Sequence, residues 1–121
     1  MLTLISATPS PYARKNRIAL LEKDIPFQLQ SEIPWESATE TPKYNPLEKL
    51  PILLFDDGRP PIYESWFIQE YITQKYADKG PSLLPKGGVD ELLKARQIQV
   101  IADGACDAMV CGHCFRGCLS K

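Results

Sequence analysis

A serine–proline pair at the start of a helix has the clearest chemical potential in this sequence. Ser10 and Pro11 follow a short apolar run at residues 2–5 and precede a segment with helical apolar spacing. Serine is a preferred N-cap residue and proline is favoured at the first helical position, so the pair predicts a helix that begins here. The free N–H groups and dipole of that first turn favour an anion, to which a serine hydroxyl can donate. The alternative is that Ser10 only caps the helix.

An acid and a hydroxyl stand together at the start of another predicted helix, as Glu64 and Ser65. The hydroxyl and the N–H groups of a helix start can hold a carboxylate, and Glu64 can accept a hydrogen bond from an ammonium. An α-amino acid carries both groups, so the pair fits that kind of ligand. The alternative is an ordinary capping residue after an acidic strand end.

The segment before a second apolar strand contains Lys49, Leu50 and Pro51. Lys49 can neutralise a carboxylate, although an exposed loop lysine is the commoner case. Pro51 begins the strand, where its missing N–H is not needed. If the bond between Leu50 and Pro51 is cis, Leu50 turns its backbone N–H and C=O out of the sheet, where they can pair with an extended peptide.

The elements that must position these residues follow the order β-α-β, a long loop, then β-β-α. We predict strands over residues 2–6, 27–31, 52–55 and 59–63, and helices over residues 11–23, 66–76 and 89–109. The loop 32–46 is predicted to contain one irregular helical turn, and Ser65 is predicted to cap the helix 66–76. A strand–helix–strand unit predicts parallel strands, whereas the tight turn at 56–58 predicts an antiparallel hairpin. Helices on a mixed four-stranded sheet give an α/β fold with a thioredoxin-like layout.

Composition divides the chain into a first domain over residues 1–78, a Pro- and Gly-containing linker over 79–88, and the start of a helical domain over 89–121. We expect the Cys-rich tail at 111–121 to break the last helix, because Gly112 and Gly117 oppose helix continuation. The tail also offers ligands for zinc, namely Cys106, Cys111, His113, Cys114 and Cys118. With one close Cys pair rather than two, no metal is expected.

Composition and charge exclude several other classes of protein. The chain has 44% apolar residues, 24% charged residues and a net charge of −1, so no basic field favours nucleic acid. Its four cysteines all fall after residue 105, unlike those of a secreted disulfide scaffold. The N-terminus does not read as a signal peptide and no apolar run is long enough for a bilayer, so we predict a cytoplasmic protein without a membrane partner.

These motifs together resemble the N-terminal domain of the cytosolic glutathione transferases. The matching stretches are Ser10-Pro11-Tyr12 with Arg14-Lys15, then Asn45-Pro46, Lys49-Leu50-Pro51 and Tyr63-Glu64-Ser65. The resemblance covers residues 1–80, and residues 102–104 look like part of the first helix of the family's second, all-helical domain. Serine-type members from bacteria and fungi are the most similar in appearance. Since the sequence stops after one helix of that domain, a truncated form is predicted.

The resemblance implies a glutathione transferase with glutathione as co-substrate. Ser10 would be the catalytic residue, donating a hydrogen bond to the glutathione thiolate, which attacks a small electrophilic substrate in detoxification. A hydroxyl cannot take part in thiol–disulfide exchange, so disulfide reduction is disfavoured. The family commonly forms dimers, which makes a homodimer an implied assembly. A different class of function stays open, namely a non-catalytic module of the same fold used for protein association or regulation.

The resemblance also assigns the glutathione-binding residues. Leu50, before an implied cis Pro51, would pair its backbone with the cysteinyl part of glutathione. Glu64 and Ser65 would hold the γ-glutamyl end, and Lys49 is a weaker candidate for the glycyl carboxylate.

Overall fold

The computed structural model describes residues 1–33, 36 and 38–119, with side chains as far as Cys111. The chain divides into two compact units, Met1–Leu83 and Leu84–Lys121. The first unit contains the sheet and every residue that the sequence analysis assigned to a binding or catalytic role. The second unit contains one long helix.

Among the described residues of the first unit, four strands form one mixed sheet. The strands are β1 (Leu2–Ser6), β2 (Phe27–Ser31), β3 (Ile52–Phe55) and β4 (Ile62–Tyr63), in the spatial order β2-β1-β3-β4. β1 and β2 are parallel, as the strand–helix–strand order predicts. β3 is antiparallel to both β1 and β4. The predicted thioredoxin-like α/β fold is therefore confirmed.

Strand β4 is shorter than predicted. The predicted strand begins at residue 59, whereas the ladder begins at Ile62. Pro60 and Pro61 have no backbone N–H to donate to β3, so the pairing can begin only after them. The residue before them, Arg59, instead closes the turn by donating to Asp57.

The described residues of the first unit form three helices, α1 (Pro11–Glu22), α2 (Thr41–Tyr44) and α3 (Ser65–Lys75). α2 is the single helical turn predicted inside the loop 32–46. α1 ends one residue earlier than predicted, and Lys23 becomes its C-cap. Apolar residues from α1, α3, β1 and β3, together with one loop residue, share one core, whose buried members are Leu2, Leu4, Ala19, Leu20, Ile25, Leu53, Ile68 and Ile72.

A buried lysine joins the end of α1 to the segment that follows α3. Lys23 is 1% exposed, and its ammonium donates to the carbonyls of Tyr76, Lys79 and Pro81 at 2.9, 2.9 and 3.2 Å. The segment approaches so closely that a Cβ on Gly80, which has a φ of +66°, would lie 2.8 Å from the Cα of Lys23. Glycine is therefore needed at position 80 for both space and backbone conformation.

The helix of the second unit, α4 (Val89–Leu119), is longer than predicted. We expected it to end near residue 109 because of the two tail glycines, and that expectation is wrong. A glycine inside a helix costs only about 1 kcal/mol relative to alanine. Extending an existing helix also needs no new nucleus, so Gly112 and Gly117 do not end it. Asp90 and Glu91 lie in its first turn, as expected of acidic residues at the positive end of the dipole.

Two of the four cysteines have described side chains. Cys106 is half-buried and Cys111 is exposed, and both are free thiols. The side chains of His113, Cys114 and Cys118 lie outside the described part of the chain, and so does the zinc alternative that depends on them. In the part that is described, no helix has the length and apolar character of a membrane span.

Candidate functional site

Several turns of the chain meet at one edge of the sheet. β1 ends there at Ser6, and the chain then leads to Ser10. β3 begins there at Ile52, which pairs with Tyr63, the last residue of β4. Continuing that register by one residue brings Pro51 opposite Glu64. The two segments that the sequence analysis singled out in the second half of the domain therefore come from the same edge as Ser10.

Ser10 caps α1 as predicted. Its Oγ accepts a hydrogen bond from the backbone N–H of Ala13 at 3.2 Å, and its own N–H donates to the carbonyl of Ala7 at 3.0 Å. Because a hydroxyl has one proton to donate and two acceptor positions, the cap leaves the O–H of Ser10 able to donate elsewhere. The first turn of α1 contains no acidic side chain. An anion placed at this helix start is therefore not repelled by the helix itself.

Glu64 has an unusual backbone conformation, with φ 78° and ψ 120°. A non-glycine residue in such a region costs about 1–3 kcal/mol and is often found at functional sites. The Oε2 of Glu64 accepts from the N–H of Trp66 at 3.1 Å, and its carbonyl accepts from Ile68 at 2.9 Å. Glu64 is therefore the N-cap, and the prediction that Ser65 caps the helix is wrong. The positive φ of Glu64 starts the helix one residue earlier than predicted, so that Ser65 is the first helical residue.

Ser65 is buried, and a side chain from α1 holds it. Its carbonyl accepts from the Nδ2 of Asn16 at 3.0 Å, and the same Nδ2 donates to Oε1 of Gln69 at 3.1 Å. Asn16 is fully buried, and its Oδ1 has no hydrogen-bond partner. This residue was not predicted from the sequence. The available signal was its phase, since Asn16 lies on the buried face of α1 between Ala13 and Leu20.

The loop before β3 is organised around a buried asparagine. Asn45 is 1% exposed; its Nδ2 donates to the carbonyl of Lys49 at 2.8 Å, and its Oδ1 accepts from Leu47 at 2.9 Å. The side chain of Lys49 is exposed, so its reading as an ordinary loop lysine stays open. Leu50 is half-buried, and the bond between Leu50 and Pro51 is cis, as the resemblance implied.

An ion pair lies at the opposite edge of the sheet. The guanidinium of Arg59 donates to the carboxylate of Asp57 at 2.8 Å and lowers the pKa of Asp57. The same guanidinium lies 4.2 Å from the centre of the Phe55 ring. A hollow of about 500 Å³ also lies away from Ser10, at the C-terminal end of α1, where it is lined by residues 21 and 24–27 and by Lys79. Neither feature touches the residues gathered at the Ser10 edge.

Fold and site define a thioredoxin-like domain with a candidate ligand site where two helices begin. The family model described as the N-terminal domain of glutathione S-transferase matches residues 9–75. The chain therefore belongs to the glutathione S-transferase family.

Relatives and solved structures agree with this assignment. The uncharacterized GST-like protein YibF of Escherichia coli is 36% identical over 111 residues, which are 88% of this chain and 51% of that protein. The structure of a glutathione S-transferase from Methylobacterium radiotolerans, in complex with glutathione sulfonate, is 54% identical with a TM-score of 0.83, over 90% of this chain and 50% of that one. A glutathione transferase family member from Pseudomonas fluorescens with bound glutathione is 32% identical with a TM-score of 0.77, over 91% and 54%. The chain thus spans about half the length of these relatives.

Proposed function

We propose that this chain binds glutathione at the Ser10 edge of the sheet and activates its thiol for transfer to a small electrophile. The observation that carries the proposal is the N-cap geometry of Ser10. Its Oγ satisfies the N–H of Ala13 at 3.2 Å while its O–H proton stays free to donate to a thiolate. Two similar solved structures contain glutathione or its sulfonate, which supports the choice of ligand.

The start of α3 is the proposed site for the γ-glutamyl end of glutathione. This end carries an ammonium and a carboxylate. Glu64 is exposed and can accept from the ammonium, while the N–H groups and hydroxyl at Ser65 can hold the carboxylate. Both charges of the ligand thus have an opposite or hydrogen-bonding partner on adjacent residues.

The start of β3 is the proposed site for the rest of the tripeptide. Leu50 would pair its backbone N–H and C=O with the cysteinyl residue, in the manner of an added strand. The exposed ammonium of Lys49 would attract the glycyl carboxylate, with the small energy typical of a charge in solvent. Together with Ser10, these contacts would place the thiol sulfur at the start of α1.

The proposed reaction is nucleophilic attack by the thiolate on an electrophilic carbon. A carbon–sulfur bond forms, the leaving group departs with its bonding electrons, and the thiol proton is released to solvent. The role of Ser10 is to stabilise the thiolate through a hydrogen bond, without a covalent bond to glutathione. No dithiol chemistry at position 10 is involved, because a hydroxyl cannot form a disulfide.

Calorimetry with glutathione tests the binding part of this proposal, and conjugation of a chromogenic aryl halide tests the catalytic part. We expect glutathione to bind, conjugation to exceed the uncatalysed rate, and Ser10→Ala to slow conjugation at neutral pH while it retains binding. Absence of binding at millimolar glutathione would overturn the proposal. Binding without conjugation would favour the non-catalytic module of the same fold.

We extend the proposal to location and assembly. The free thiols of Cys106 and Cys111 and the use of glutathione fit a reducing compartment, so we propose the cytoplasm. A homodimer follows from the family resemblance and is checked by sedimentation of the purified chain. A mass of one chain at high protein concentration would contradict it.

A further inference from the structure

One buried polar side chain of the first unit connects the two halves of the proposed site. We propose that Asn16 is a positioning residue, which fixes Ser65 and Glu64 relative to Ser10 so that both ends of one glutathione molecule can bind together. This inference rests on the proposed function. Asn16 itself does not touch the ligand in this scheme, because it is fully buried.

The connection runs through one helix and one hydrogen bond. Ser10 and Asn16 are both held on α1, and six residues of helix separate them by about 9 Å along the axis. The Nδ2 of Asn16 donates at 3.0 Å to the carbonyl of Ser65, the first residue of α3. Because a helix is stiff over this length, a displacement of Ser65 relative to Ser10 requires that this bond break or that the helices move apart.

The same bond supports a strained neighbour. Glu64, with its φ of 78°, directly precedes Ser65. A residue in this conformation persists only where its surroundings hold it. Asn16 fixes the carbonyl on the far side of Ser65, which limits the ways in which the turn at Glu64 can relax. The orientation of the proposed γ-glutamyl site therefore depends on Asn16.

Stability alone does not explain an asparagine at position 16. Its Oδ1 is buried without a partner, which is unfavourable because that atom has lost its hydrogen bonds to water. An apolar residue, as found at the neighbouring buried positions Ala19 and Leu20, would avoid this cost. The donor of Asn16, however, is used twice, on Ser65 and on Gln69. The structure thus retains the amide where its donor holds the start of α3.

The test compares glutathione with N-acetylcysteinylglycine, which keeps the thiol and glycyl ends but lacks the γ-glutamyl amino acid. Calorimetry gives the Kd of each ligand for the wild type and for Asn16→Leu. We expect Asn16→Leu to bind glutathione about tenfold more weakly and the shorter ligand with unchanged affinity. The preference for glutathione over the shorter ligand then falls by the same factor.

A matched control separates positioning from general loss of stability. Ile72→Val also changes a fully buried side chain, on α3 and away from the helix start. We expect it to lower the Tm but to leave the ligand preference within twofold. If Asn16→Leu does not fold, Asn16→Ala, which adds no bulk, gives the same comparison.

A further measurement uses the wild type alone. The side-chain NH₂ resonances of Asn16 should shift on saturation with glutathione and not with the shorter ligand. An unchanged preference in a folded Asn16 variant would overturn the positioning role. A wild type without any preference for glutathione would instead overturn the proposed γ-glutamyl site, and a wild type that binds neither ligand would overturn the proposed function.

Discussion

Replacement of Ser10 by alanine should produce two separable losses, because its hydroxyl has one partner in the structure, the N–H of Ala13, and one proposed partner, the glutathione thiolate. As an N-cap, Ser10 satisfies the N–H of Ala13 at 3.2 Å. Loss of such a cap costs about 1 kcal/mol. For a unit the size of Met1–Leu83 this corresponds to a fall in Tm of about 4–8 °C.

The second loss concerns the thiol of bound glutathione. A hydrogen bond to a charged group contributes about 1.5–3 kcal/mol. Because about 1.4 kcal/mol equals one pKa unit, Ser10→Ala should raise the pKa of the bound thiol by about 1–2 units. Conjugation should fall by about 10–100-fold at pH values below both thiol pKa values. The two rates should converge at pH values above both, where the thiol is ionised in either protein.

Two further variants at the same position distinguish the roles. Ser10→Asp keeps a good N-cap acceptor but has no proton to donate and adds a negative charge, so it should preserve the Tm and raise the thiol pKa. Ser10→Thr keeps the hydroxyl and should resemble the wild type in both respects. Ultraviolet absorbance of the thiolate against pH gives the pKa, and thermal unfolding gives the Tm. If Ser10→Ala lowers the Tm without changing the pKa of the bound thiol, Ser10 is only a cap and our reasoning about catalysis is wrong.

Three further predictions concern the stability of the first unit. Lys23→Met removes the ammonium that holds three backbone carbonyls, although partly exposed carbonyls can regain hydrogen bonds to water. We expect the free energy of unfolding, measured in urea, to fall by about 2–4 kcal/mol. An unchanged free energy of unfolding would contradict this. Gly80→Ala should lower the Tm more than Gly58→Ala, because both glycines have positive φ but only the Cβ at position 80 would meet backbone, at 2.8 Å; equal shifts would show that the close approach is unimportant. Arg59 lowers the pKa of Asp57 in the folded protein. Their pairing therefore stabilises the fold fully at pH values above the ordinary carboxyl pKa of 3.8, and this stabilisation is lost as the pH falls through the lower pKa that Asp57 has in the folded protein. The Tm difference between wild type and Asp57→Asn should therefore shrink in acid, and a difference independent of pH would refute the assignment.

The fold was largely predictable because its signals are local. The cap at Ser10 begins α1, the helix between β1 and β2 requires parallel strands, and the turn before Arg59 requires an antiparallel hairpin. Each of these rules depends on one residue pair or on elements that follow one another directly along the chain. Sheet order and strand direction then follow from a short list of allowed connections.

The wrong boundaries arose where a local rule competed with another effect. At Gly112 and Gly117 the low helix propensity of glycine was outweighed by extension of a long existing helix. At Ser65 the capping preference of serine did not decide the helix start, because Glu64 takes a positive φ and caps the helix instead. Glutamate seldom adopts this conformation, so its residue type does not indicate it. The start of strand β4 differs from the prediction for the opposite reason, since a local rule, the missing N–H of Pro60 and Pro61, explains where the pairing begins.

The two buried polar residues of α1 and its C-cap that were not predicted, Asn16 at the site and Lys23 at the far end of the helix, have distant partners. Asn16 reaches Ser65 across 49 positions, and Lys23 reaches Tyr76 across 53. Sequence spacing cannot identify such partners. It could have identified the residues themselves, because Asn16 and Lys23 are polar at positions where the helical period of α1 points towards the core. A polar residue in the apolar phase of a helix is therefore worth treating as a candidate for a buried contact.

The position of the proposed site depends on how the register of β3 is set. Ile52 and Leu53 are adjacent and both fully buried, so the two faces of this strand are apolar. Alternation of polar and apolar residues, which normally prevents a slip of one residue, therefore gives little protection here. The register must instead be set at the strand ends, by Pro51, which cannot donate to the ladder, and by the turn at Gly58, whose φ is +82°. Since this register brings Pro51 opposite Glu64, the geometry of the site depends on a turn at the other edge of the sheet.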